Sequence, residues 1–134
     1  MITLNDYLSS SGKYKGRVKD PDCTQLVINN AENLLMAVNA LLSELGVKSV
    51  TVSSGFRPSS VNGAIKNAAK ASLHMSGRAI DLVDVDGSLD ALISSRDDLL
   101  KKHGLWQEHS DATIGWCHLD DKDRGVRPKN RFVP

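Results

Sequence analysis

Between Asn30 and Leu45 the apolar residues are Leu34, Leu35, Val38, Leu41, Leu42 and Leu45. Steps of three and four lay them along one stripe of a helix, and Gly46 follows as its stop. Past Gly46 the period changes to two. In "KSVTVSSGFRP", Val50 and Val52 alternate with Thr51 and Ser53, and Gly55 and Pro58 end the run, so a strand is predicted. Residues 60–70, "SVNGAIKNAAK", predict a short helix. "RAIDLVDV" predicts a second strand, with Ala79, Asp81, Val83 and Val85 on one face and Ile80 and Leu82 on the other. Ser88 is the expected cap of a helix running to about His103. Leu89, Leu92, Ile93, Leu99 and Leu100 form its buried face, and Gly104 closes it. "GLWQE" and "TIGWCHLD" predict a hairpin around "HSDA". An N-terminal arm to about residue 22 and a tail from about residue 121 are polar and interrupted by Gly and Pro, so both read as irregular. Helices and strands mix without βαβ alternation. The expected fold is α+β, a small, mainly antiparallel sheet with flanking helices.

A length of 134 residues fits one domain spanning 1–134. Hydrophobic residues at 40% and charged residues at 25% place the chain among globular rather than disordered proteins. A net charge of +1 gives no electrostatic reason to expect a nucleic-acid partner. The two cysteines, Cys23 and Cys117, are far apart and make neither a CxxC pair nor a disulfide framework. No apolar run approaches the roughly 20 residues that cross a bilayer. The N-terminus lacks the basic start and apolar stretch of a signal peptide, so synthesis in the cytoplasm without that export route is expected. The chain is expected to act as a monomer.

Asp81 poses the chemical question. It lies among apolar neighbours on a strand expected to be half-buried, where an unpaired carboxylate is costly. It needs an arginine, backbone N–H groups or a cation. His74 stands seven residues earlier, and Ser76-Gly77 can turn the chain back. In "GWCHLD", Trp116, His118 and Asp120 share a face, while Cys117 and Leu119 share the opposite one. If the two strands are neighbours, His74, Asp81 and His118 converge. Two imidazoles and a carboxylate suit zinc and leave a fourth position open for water. The bland alternative is a buried, hydrogen-bonded histidine and a carboxylate paired with arginine.

"SGFRP" at 54–58, Asn62, "SLHMSGRAIDL" at 72–82 and "WCHLD" at 116–120 occur in an order that resembles one peptidase family. The chain is similar to the zinc D-alanyl-D-alanine carboxypeptidases and the phage L-alanyl-D-glutamate endopeptidases, which share a hedgehog-like α+β fold. The resemblance implies a zinc hydrolase acting on peptidoglycan stem peptides, as a phage-like lytic or virion protein that meets the cell wall after release. It implies that His74, Asp81 and His118 hold the zinc, and that Arg57 and Ser72 contact substrate. Read by themselves, Arg57 could be a solvent-facing arginine and Ser72 a turn cap. Which stem-peptide bond is cut stays open.

One position departs from the family pattern. Many members carry an acid three residues before the last histidine, where this chain has Gly115. Peptide hydrolysis needs a carboxylate to take the proton of water and pass it on. Glu108 is the expected one, since "GLWQE…WCHL…RP" resembles a subgroup with Glu at that place. A hairpin loop of three or five residues would set Glu108 opposite Ile114, on the order of 13 Å from His118 along the sheet. Asp120 could instead serve, or hold a ligand imidazole, and Asp111 lies in the turn. Asn62 reads as ordering a helix start or loop, Trp106 and Trp116 as packing, Cys117 as a buried small residue. His103 reads as a helix C-terminal charge, and His109 as turn surface. The rival to an enzyme is a non-catalytic zinc-binding module of the same fold.

Overall fold

The computed structural model describes residues 1–9, 19–65 and 71–134. Part of the expected N-terminal arm and residues 66–70 of the expected helix lie outside the described residues. The helical stripe is realised as α2, Gln25–Glu44, which starts earlier than the pattern suggests because the Thr24 hydroxyl accepts from the Val27 N–H. Its buried face is Val27, Ala31, Leu34, Leu35, Val38, Leu41 and Leu42. Before it stands α1, Leu4–Leu8, inside the stretch expected to be irregular. Thr3 and Asp6 cap each other reciprocally, which lets five residues hold a helical turn. Tyr7 is then fully buried, with its hydroxyl donating to the Ala79 carbonyl at 2.8 Å.

The strands are β1 (Val52–Ser54), β2 (Ala79–Asp84), β3 (Trp106–Glu108), β4 (Gly115–Asp120) and β5 (Arg131–Phe132). They form one sheet in the order β1-β2-β4-β3-β5. Every pairing is antiparallel except that of β3 with β5. This is the expected α+β fold. Ile80, Leu82, Cys117 and Leu119 belong to the same core cluster as the α2 stripe. Their alternation leaves Asp81, His118 and Asp120 on the other face.

Between β1 and β2 the chain makes helix α3 (Ser59–Ala64) and a 3-10 turn, Leu73–Ser76. Ser72 caps that turn, and Gly77 ends it at φ 76°. A Cβ at Gly77 would lie 2.5 Å from the Val27 carbonyl oxygen of α2. The turn that carries His74 is thus pressed against the long helix.

Three expectations are corrected. The helix from Ser88 to His103 is two helices, α4 (Ser88–Ser94) and α5 (Asp97–Lys102), separated at Arg96 with φ −126° and ψ 57°. Asp97 and Asp98 occupy a new first turn, where acidic side chains are favourable. Leu92 stays 39% exposed. The cap is the Asp84 carboxylate, accepting from Leu89 and Asp90 N–H at 3.0 and 2.8 Å, while the Ser88 hydroxyl donates to Asp86. The tail is not irregular throughout, because β5 pairs with β3 through Gln107 N–H to Asn130 O and His109 N–H to Phe132 O. Finally, the hairpin register is Trp106↔Asp120 and Gln107↔Leu119. The next step along it places Glu108 beside His118, not Ile114. His109 caps a 3-10 turn at Ser110–Ala112, and the loop is longer than expected for that reason.

Gly77→Ala is expected to lower unfolding free energy by about 3 kcal/mol, through left-handed strain and the Val27 clash together. Denaturant titration of the two proteins measures it.

Candidate metal centre

The β2–β4 pairing makes Asp81 and His118 direct Cα partners. Asp81 Oδ1 lies 2.7 Å from His118 Nδ1, and Asp81 Oδ2 lies 3.3 Å from His74 Nε2. The 3-10 turn brings His74 to this point. Its N–H donates to the Ser72 hydroxyl at 3.3 Å, and its carbonyl accepts from the Arg57 N–H at 3.0 Å. The three ligand atoms all lie within 4.8 Å of one another.

The far side of each imidazole is also held. His74 Nδ1 is 2.8 Å from the Gly55 carbonyl oxygen, and His118 Nε2 is 3.1 Å from Asp120 Oδ2. A carbonyl can only accept, so His74 Nδ1 carries the proton there. Asp120 is an acceptor in the same way. In its neutral form each imidazole would then turn a lone pair toward the Asp81 carboxylate. Two lone pairs and an anion facing one point repel unless a proton or a cation lies among them. This donor set, with both distal nitrogens tied down, fits a zinc ion.

A proton can fill the same role. Burial raises the Asp81 pKa, but His74 and His118 prevail and hold it well below the ordinary carboxylate range. Burial opposes charge on His118, yet its hydrogen bonds to Asp120 and Asp81 push its pKa up to about 9.

These groups open into a cavity of about 330 Å³, whose wall includes Arg57, Ser72, Glu108, Trp116, Arg124 and Phe132. A roomier hollow of about 470 Å³ beside Val50, Val85 and Leu92 shares none of these residues. Ligand chemistry rather than size marks the site.

Arg57 is drawn inward. Its Nη2 is 3.2 Å from Asp81 Oδ2, and its Nε donates to the Ser54 hydroxyl at 2.9 Å. The bland reading of Asp81 as an arginine partner is thus realised together with the ligand cluster. Asn62 is buried and accepts from Arg57 Nη1 at 3.5 Å, so it braces the arginine. Ser72 both caps its turn and borders the cavity.

Glu108 lines the cavity, a place the expected register would have denied it. It is half-buried, and that burial raises its pKa. Asp81 and Asp120 add to the rise, while His118 and Arg124 counter it. Among the described residues its carboxylate has no hydrogen-bond partner. Asp120 is fully engaged by His118, Arg124 and the Lys122 N–H. Asp111 stays in the exposed turn beside His109. Gly115 opens β4 at φ 97° and offers no side chain. Trp106 is buried, but Trp116 is 37% exposed at the cavity wall rather than packed away. Cys117 is buried on the opposite face, and His103 caps α5 against Glu44. No role is expected of Arg124 or Phe132 at the level of the sequence, because a polar tail gives no periodicity to read.

The family described as Peptidase M15 matches residues 5–120. No curated protein and no solved structure matches the chain.

His74→Ala and His118→Ala should each weaken zinc binding by more than the roughly 10–100-fold typical of losing an outer partner, whereas Cys117→Ser should leave it unchanged. Competition with a chromophoric chelator measures all three.

Proposed function

The chain belongs to the Peptidase M15 family, and from that membership we propose that it is a zinc-dependent hydrolase of amide bonds in peptidoglycan stem peptides. Its class is that of the D,D-carboxypeptidases and L-alanyl-D-glutamate endopeptidases, and its setting that of a phage-like lytic or virion protein acting at the cell wall. The observation that carries the reading is the convergence of His74, Asp81 and His118 in a cavity that Glu108 also lines.

His74, Asp81 and His118 would hold the ion. Zinc bound there would supply a Lewis acid that polarises a carbonyl and acidifies water. Glu108 would take the proton from the attacking water and deliver it to the leaving amine. Its surroundings suit both halves of that task. Partial burial and two neighbouring carboxylates favour proton uptake, and among the described residues no hydrogen bond holds the side chain in place. Arg57 and Ser72 line the cavity, where they would contact substrate. A guanidinium matches the carboxylates that stem peptides carry, and Arg57 would share its charge between Asp81 and substrate. Trp116 offers an exposed apolar wall beside them.

Gly115 favours a second reading, a zinc-binding module without catalysis, since the usual acid position holds no side chain. Glu108 beside His118 argues for the enzyme, because it supplies a carboxylate from the neighbouring strand.

Zinc-loaded protein incubated with purified peptidoglycan should release new amino termini or free D-alanine. Glu108→Gln should lower the rate by about 10²–10⁴-fold with zinc content unchanged. Silence of the wild type at full zinc occupancy would favour the binding module. Retained turnover in the variant would remove Glu108 from the reaction.

A further inference from the structure

We propose that Arg124 is a positioning residue for the metal centre, acting through Asp120 on the His118 imidazole, and that the C-terminal strand β5 keeps it in place. The inference rests on reading His118 as a metal ligand. It concerns residues beyond the stretch matched by the family, which ends at residue 120.

Arg124 grips Asp120 with both arms of its fork, Nη1 to Oδ1 at 2.7 Å and Nη2 to Oδ2 at 3.0 Å. The Lys122 N–H donates to Oδ1 as well, at 3.1 Å. Asp120 is 1% exposed, so its carboxylate is cut off from bulk solvent. Two parallel charge-assisted bonds fix the plane of a carboxylate in a way that one bond does not. With that plane fixed, Oδ2 faces His118 Nε2 at 3.1 Å and holds the proton on that nitrogen. Nδ1 faces Asp81 Oδ1 at 2.7 Å, so it is the nitrogen whose lone pair a cation would meet once its proton is displaced. The chain of contacts therefore selects which nitrogen of His118 faces the ion.

The guanidinium is itself confined. Its carbon sits 3.5 Å from the centre of the Phe132 ring, close enough for a cation–π contact. The Phe132 ring also lies edge-on to His118, with centroids 6.0 Å apart. Phe132 belongs to β5, whose partner β3 carries Glu108 directly opposite it. An arginine only 14% exposed, wedged between a ring and a buried carboxylate, has little freedom to swing away. Its position cannot be explained as a surface ion pair.

The test compares wild type with Arg124→Met, Arg124→Lys, Asp120→Asn and the double variant Asp120→Asn/Arg124→Met. Zinc affinity is measured by chelator competition, and the visible absorption of the cobalt-substituted proteins reports ligand geometry. Arg124→Met should weaken zinc by about 10–100-fold and alter the cobalt bands. Arg124→Lys keeps the charge without the fork and should fall between Met and wild type. It is also the milder change should the Met variant fold poorly. The double variant should bind zinc no more weakly than Asp120→Asn alone, since Arg124 acts through that residue. Reduced thermal stability with zinc affinity and cobalt bands unchanged in both Arg124 variants would overturn the inference alone. Additive losses in the double variant would overturn the route through Asp120. A wild type that binds no zinc would overturn the metal reading, and this inference with it.

Discussion

The antiparallel pairing of β2 with β4, in the register that sets Asp81 opposite His118, is the constraint on which the molecule depends. The hydrophobic core enforces it. Ile80, Leu82, Cys117 and Leu119 alternate with the site residues and are all fully buried. A slip of one residue would turn those side chains to the other face and bring the charged ones into the core. Each buried aliphatic side chain is worth about 1.5–3 kcal/mol, so the register is strongly specified. The same energy that folds the sheet therefore fixes an imidazole against a carboxylate.

What gathers around Asp81 follows from the cost of its burial. A buried carboxylate without compensation costs several kcal/mol, and breaking such a pair about 3–5 kcal/mol. Arg57 supplies one cationic contact from the loop after β1, and both histidines supply nitrogen from separate elements. Gly55 and Asp120 then decide which nitrogen each ring turns inward. Gly55 has no room for a side chain, since a Cβ there would fall 2.1 Å from the Tyr7 carbonyl oxygen. Helix α1 thereby takes part in placing the carbonyl that orients His74.

The long helix, the two central strands and the convergence of His74, Asp81 and His118 were legible because each has a repeat or a fixed gap to read. The α2 stripe follows the helical period, and "SLHMSGRAIDL" carries its own turn residues between histidine and aspartate. Other features depend on contacts that leave no repeat. Helix α1 is too short for periodicity and shows only as the Thr3–Asp6 capping pair. The break at Arg96 is set by two acidic residues that start a new first turn. The position of Glu108 turned on loop length. A 3-10 turn capped by His109 moves the hairpin register, and that shift carries Glu108 from beyond reach to the side of His118. Phe132 meets the site through the parallel pairing of β5 with β3, a long-range contact that a polar tail does not announce, and Arg124 through an ion pair with Asp120 four residues earlier that no repeat marks.

The most direct test of the central claim is a crystal structure of the zinc-soaked protein with anomalous scattering measured at the zinc edge. The account predicts one strong peak at ordinary zinc–ligand distance from His74 Nε2, the Asp81 carboxylate and His118 Nδ1. A peak elsewhere, or one that leaves any of these three groups uncoordinated, would contradict it.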